Sequence, residues 1–311
     1  MSSRQSDFER ASLPDLAGRT CVVTGATSGI GREIVRALAA AGASLVLIGR
    51  DSRRTRDLAQ TLTAMRNQRA HAVLADLADL GAVRGAAREI STVHPKLDVL
   101  INNAGIWITQ PASNADGIEL TWATNLLAHH VLAGMLMPCL RAATGARIVN
   151  VASTYVGNLD LDDVEFKRRP WNGIAAYKQS KLAMRMWTWA LATRLSGSGV
   201  TANAVHPGGI YTGIYRAPRG IVGSIIRLHA RLTKASPREG ADTPVWAATA
   251  PELEGVTGRF FANRKELSCP HRDASSLDRL WNLLQSQAGS GLLFPADRVS
   301  SGAERAEIDT V

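Results

Sequence analysis

The chain has 311 residues, 45% of them hydrophobic, and 36 Lys+Arg against 27 Asp+Glu give it a formal net charge of +9. That is enough apolar material for one large domain, and no Gly-, Ser- or Pro-rich linker or internal repeat divides it. Only six of the positive residues are lysines, and the arginines are scattered rather than blocked, which argues against nucleic-acid binding and leaves small phosphates as the anions to consider.

The polar opening, residues 1–17, carries no apolar signal core and reads as an N-terminal extension. After it, short β-rich runs alternate with helical ones. Strands are expected over 19–25, 44–49, 70–76, 97–105, 146–153 and 200–208. Helices are expected over 29–42, 53–66, near 80–93, near 118–141 and over 175–194. This alternation implies βαβ units and hence a single α/β domain over 18–285: a Rossmann-type doubly wound parallel sheet with helices on both faces. Beyond 285 the composition turns to Gly, Ser, Ala and charge, and 286–311 reads as a flexible tail. The three cysteines, Cys21, Cys139 and Cys269, make neither a CxxC pair nor an even disulfide set, so a reducing, cytoplasmic setting is expected. No run of about eighteen apolar residues marks a membrane span.

The first strand runs straight into TGATSGIG, residues 24–31. Gly25, Gly29 and Gly31 fall where a strand must turn tightly into a helix and let backbone N–H groups approach a pyrophosphate. With it, in order, come NNAG at 102–105, Asn125 in TNLLAHH, Ser153 in VNVAS, YKQSK at 177–181 and HPGGIYT at 206–212. Together these resemble the motifs of the short-chain dehydrogenase/reductase superfamily over residues 18–270. Ser153 and Tyr177 stand 24 positions apart, with LDLDDVEFKRRPWNG between them. That insertion, the helix opening AYKQSKLA and the Leu-Trp helix LDRLWNLL at 277–284 resemble retinol dehydrogenases and related carbonyl reductases. Ala152 departs from the family's pattern, standing where a second serine is usual.

Tyr177 and Lys181 are four apart in an expected helix, on one face and one turn from each other. A free phenol titrates near pH 10, and an adjacent ammonium favours its ionised form, bringing it toward a useful general acid–base range. The resemblance implies Tyr177 as proton donor and acceptor and Lys181 as its tuner and ribose ligand. It also implies Ser153 as the hydrogen-bond donor to the substrate oxygen, and Asn125 as the anchor of a water that leads protons from Lys181 to bulk. Lys178, off the YxxxK spacing, is expected to be solvated.

The resemblance implies a dinucleotide held by Gly25, Thr27, Ser28, Gly29, Ile30 and Gly31, by Asp76 and Leu77 at the adenine, and by Asn103, Ala104, Gly105, Tyr177, Lys181, Pro207, Gly208 and Thr212 toward the nicotinamide. At the end of the second strand, Arg50 offers a guanidinium fork for a 2′-phosphate. Asp51 can grip ribose hydroxyls instead, or cap the following helix. Related reductases with Cys-Arg-Asp at this point use NADP(H), so the resemblance implies NADP(H) over NAD(H).

The expected activity is interconversion of a carbonyl and an alcohol on a small lipophilic molecule, with residues 213–235 as a substrate lid, an ordinary packed helix or a helix lying on a membrane surface. Trp107, Tyr155, Trp171 and Tyr215 can line a pocket or belong to the core. The rivals are C=C reduction as in protochlorophyllide reductase, a non-catalytic NADP-sensing protein, and an epimerase, whose glycine spacing differs. No metal is expected: His129 and His130 are adjacent and face apart, and His206 beside Pro207 reads as structural. The stripe Met184, Trp187, Leu191 with Leu127, Val131, Met135 reads as core; in the family these two helices often form a homo-oligomer face.

Overall fold

A computed structural model describes residues 13–66, 69–208 and 236–295. Five parallel βα steps open the chain: β1 (Thr20–Thr24), α1 (Gly29–Ala40), β2 (Ser44–Gly49), α2 (Ser52–Arg66), β3 (Ala70–Leu74), α3 (Leu80–Val93), β4 (Val99–Asn102), α4 (Leu120–Arg141), β5 (Ala146–Val151) and α5 (Gly173–Arg194). Then come β6 (Val200–His206), α6 (Pro237–Thr249), β7 (Phe260–Ala262), β8 (Lys265–Glu266) and α7 (Ala274–Ala288). The eight strands form one sheet in the order β3-β2-β1-β4-β5-β6-β7-β8. All pairs are parallel except the last.

The central strands are apolar along their whole length because both faces are covered. Val22 in β1 pairs with Val46 and Leu100, and all three are buried. One apolar cluster joins the sheet to α1, α2 and α6, the other to α3, α4, α5 and α7. Leu16 belongs to the first of these, its N–H donating to Ala41 O at 2.7 Å, so the folded body begins before residue 18. The strand order reverses between β1 and β4. In an open α/β sheet that reversal leaves a crevice at the carboxyl ends of the strands.

Two expected strands stop early, for a reason that matters to the site. Only Val99–Asn102 of 97–105 is in the sheet. The next residues bend toward β1, where the N–H groups of Asn103 and Ala104 both donate to Thr24 Oγ1 at 2.9 Å. Likewise β5 ends at Val151, which frees 152–157 to cross the sheet edge.

α4 is continuous but not uniform. Ala123–Leu127 forms a π turn, with the Ala128 N–H bonded five residues back to Ala123 O. α4 is also the one described helix long and apolar enough to cross a membrane, and 89% of its best window is buried inside the fold. The stripe Leu127, Val131, Met184, Trp187, Leu191 is core, with Met135 half-buried against it.

The first part of the tail expected over 286–311 lies against the fold. α7 runs to Ala288, and Leu277, Leu280, Trp281 and Leu284 form a buried helical stripe. The chain then lies across α4: Leu293 N–H donates to Gly134 O at 3.0 Å, and Phe294 packs 4.8 Å from Trp281 and 5.0 Å from His130. Its polar composition misled because few residues carry the contact, and they dock on a glycine. Residues 1–12 and 296–311 lie outside the described residues.

Candidate active site

The glycine loop sits at the topological reversal. Gly25 holds φ +66°, a left-handed conformation suited to glycine, and donates to Ile48 O at 2.9 Å. A Cβ on Gly31 would stand 2.2 Å from Gly25 O and 2.6 Å from Asn103 Nδ2, so the first turn of α1 packs directly on the loop. Asn103 pins the same place from β4, its Nδ2 donating to Thr24 O at 2.9 Å. Ser28 occupies the N-cap of α1 without a side-chain capping bond, so its hydroxyl does not occupy the first-turn N–H groups. Ser28 is exposed, Thr27 and Gly29 are half-buried, and Ile30 points into the core, so Ile30 can offer a ligand only its backbone.

At the end of β2, the two readings of IGRD separate. The Asp51 carboxylate accepts the Arg54 N–H at 3.0 Å and lies 3.5 Å from Arg54 Nε, as a cap of α2 should. Arg50 is exposed, and no described residue forms an ion pair with it. At the end of β3, Asp76 is exposed with Oδ1 accepting the Ala78 N–H, while Leu77 is buried in the core.

The catalytic candidates come from three elements. α5 begins at Gly173, capped by the Asn172 side chain, which accepts from Ile174 and Ala175 N–H. That places Tyr177 in the helix's second turn and Lys181 one turn further on. Lys181 is 3% exposed, and its Nζ donates to Val151 O at 2.8 Å, 5.9 Å from the centre of the Tyr177 ring. Burial pulls its pKa down from 10.5 to about 8. Ser153, just past β5, is 6% exposed and accepts the Tyr155 N–H at 2.9 Å, which leaves its own proton to donate. Gly105 lies between α4 and α5, where a Cβ would meet Asn125 Oδ1 at 3.3 Å and Lys181 Nζ at 3.4 Å.

Asn125 sits in the π turn, with its carboxamide fully engaged. Oδ1 accepts the Ile106 N–H at 2.7 Å, and Nδ2 faces Ile106 O and Ser180 Oγ at 3.0 Å each. Its main-chain carbonyl is 3.1 Å from His129 Nδ1. His129 Nε2 in turn meets Thr24 Oγ1 at 3.2 Å, which ties the π turn to the loop after β1. His130 faces the other way, bonded to Gln285 and Trp187. The two histidines do face apart, and no cluster of metal-ligating side chains exists among the described residues.

Several contacts escaped the sequence. The Trp107 indole lies stacked on Tyr177, and the half-buried Lys178 has its ammonium 4.4 Å over the Tyr155 ring. Trp171 donates to Glu119, so it braces the start of α4. The residues between Ser153 and Tyr177 fold around Asp163, whose carboxylate accepts the N–H groups of Lys167, Arg168 and Arg169. No spacing rule connects these partners. Pro207 and Gly208 end β6 half-buried; Thr212, Tyr215 and the lid expected over 213–235 lie outside the described residues.

The short chain dehydrogenase family model matches residues 19–219. Polyprenol dehydrogenase of Mus musculus is 39% identical over 300 residues, covering 92% of this chain and 89% of its own. Retinol dehydrogenase 13 of Homo sapiens is 35% identical over 286 residues, covering 88% and 84%. Among solved structures, a short chain dehydrogenase from Burkholderia cenocepacia in complex with NADP aligns with TM-score 0.64 and 29% identity, over 80% of this chain and 97% of that one. By these matches, and with its described motifs set along a doubly wound sheet, the chain belongs to the short-chain dehydrogenase family, within its retinol dehydrogenase-like group, and is an oxidoreductase.

Proposed function

We propose that the protein is an NADP(H)-dependent oxidoreductase that interconverts a carbonyl and an alcohol on a lipophilic substrate, with Tyr177 as general acid and base. The observation that carries this reading is a buried ammonium, Lys181, one helical turn from Tyr177 and bonded to the last residue of β5, two residues before Ser153. In reduction, the Tyr177 hydroxyl gives its proton to the carbonyl oxygen, and the Ser153 hydroxyl donates a hydrogen bond to that oxygen as charge builds on it. Lys181 favours the phenolate left behind. In oxidation the phenolate takes the alcohol proton back. Bound NADPH supplies the hydride and NADP+ accepts it.

The loop fits such a cofactor. Gly25 and Gly31 leave no room for side chains, and the helix start behind Ser28 suits a pyrophosphate. Arg50 suits a 2′-phosphate, while Asp51 is occupied as a cap. The NADP bound by the Burkholderia protein supports the same choice, and the names of the retinol and polyprenol relatives support an apolar substrate. Three buried free cysteines are consistent with a reducing, cytoplasmic setting.

The test follows NADPH absorbance across a panel of ketones, aldehydes and long-chain unsaturated carbonyls. Tyr177→Phe is expected to lower kcat by about 10²-fold or more while NADPH still binds. Arg50→Ala is expected to weaken NADPH binding about tenfold and leave NADH binding unchanged. Turnover that survives Tyr177→Phe would overturn the mechanism, and NADH preference untouched by Arg50→Ala would overturn the cofactor assignment.

A further inference from the structure

We propose that Trp107 is a positioning residue for the Tyr177 phenol, an inference that rests on the carbonyl–alcohol reading above. The two rings lie 17° from parallel with centroids 5.1 Å apart, inside the range of a favourable stacked pair. Such a contact meets a need. Lys181 provides charge near the phenol but does not touch it as a stop, because its ammonium is committed to Val151 O and lies 5.9 Å from the ring centre. The indole covers one face of the phenol ring, and that contact is the one we assign to orienting it.

Trp107 is itself held. Its neighbour Ile106 is gripped at both main-chain polar groups by Asn125, the N–H donating to Oδ1 at 2.7 Å and the carbonyl accepting from Nδ2 at 3.0 Å. The same Nδ2 stands 3.0 Å from Ser180 Oγ, and that hydroxyl donates to Tyr177 O at 2.8 Å. One carboxamide therefore staples the backbone that carries the indole to the backbone that carries the phenol. The stacked pair closes the circuit on the side-chain side. Beyond Trp107 the Tyr155 ring follows at 6.4 Å, tilted 32°, with the Lys178 ammonium over it. The second lysine of YKQSK is thereby drawn to Tyr155.

The experiment compares Trp107→Leu, which removes the stack, with Trp107→Phe, which keeps an aromatic face. Readouts are steady-state kinetics, NADPH affinity by fluorescence titration, and fluorine NMR of fluorotyrosine-labelled protein, with the Tyr177 line assigned by its loss in Tyr177→Phe. Trp107→Leu is expected to lower kcat roughly five- to tenfold, with KM and NADPH affinity held within about twofold. It should also move the Tyr177 fluorine line, and Trp107→Phe should restore most of both. An unchanged kcat, a loss confined to KM, a Phe variant no better than Leu, or a fluorine line that does not move each overturns the proposal. Failure of the wild type to turn over any carbonyl would instead sink the parent reading. The fluorine line needs no turnover and would still decide whether the indole lies against the ring.

Discussion

On the proposed mechanism, Lys181 serves chemistry at the expense of the fold. A buried ammonium with one carbonyl partner among the described residues is unfavourable in the native state, which is why its pKa falls from 10.5 to about 8. Between those two values the unfolded chain binds a proton that the native chain does not, so stability rises with pH through that window. The full rise corresponds to about 3 kcal/mol. Below pH 8 the penalty is fully present. Lys181→Met is therefore expected to abolish turnover yet stabilise the protein at pH 7 by about 1–2 kcal/mol, since the relieved charge outweighs the lost hydrogen bond. Urea unfolding at pH 7 and pH 10 checks this. The variant should lose the alkaline rise that the wild type shows, and a variant less stable than wild type at pH 7 would contradict the account. The +4 spacing of Tyr177 and Lys181 was legible from helix geometry alone. That Lys181 bonds Val151 O was not, because the partner lies thirty positions away on another element.

At the scale of elements, what the sequence carried well was whatever repeats locally. The apolar runs of β1, β2 and β5 and the stripes of α1 and α3 lie within a residue or two of where periodicity puts them. What escaped was set by distant partners: the early end of β4, the π turn in α4, and the three-residue strand β7, too short to show a period. Just past the π turn, two neighbours in α4 reach in opposite directions. His129 ties Asn125 O to Thr24, and His130 ties α4 to α5 and α7 through Trp187 and Gln285. Burial lowers both pKa values, His129 to about 3 and His130 to about 4. For a base whose native pKa is depressed, stability is lost as pH falls below the unfolded value of 6.5, because only the unfolded chain takes the proton. At pH 5 each histidine is expected to cost about 2 kcal/mol relative to pH 7. Urea midpoints at pH 7 and pH 5 test this on the wild type and His130→Gln, which keeps polar reach without the charge. Burial also holds His206 down at about 4, so the variant should lose at most about a third of the acid sensitivity, and an identical pH slope would remove His130 from the account.

The whole molecule closes on itself at the face where α4 and α5 lie side by side. Among the described residues, α7 and the strand of chain after it cover that face from within. Trp281 and Leu284 are buried there, the Arg84 guanidinium holds Ala288 O and Ser290 O, and Phe294 and Leu292 rest on Gly134. Gly134 makes the contact possible: a Cβ there would stand 2.8 Å from the Phe294 ring and 3.0 Å from Leu292 Cβ. The absence of a side chain at one position in α4 is thus what admits a segment that composition alone marks as loose. Phe294→Asp puts a carboxylate in place of an aromatic ring packed against Trp281 and His130, and is expected to cost about 2–3 kcal/mol. Gly134→Val is expected to do the same from the other side by excluding the ring. If the segment is a strap, both variants lower the urea midpoint, the double variant loses little more than either single one because they break the same contact, and freshly exposed apolar surface makes the variants associate as concentration rises. Additive losses, or midpoints equal to that of the wild type, would mean that residues 289–295 do not hold the fold together.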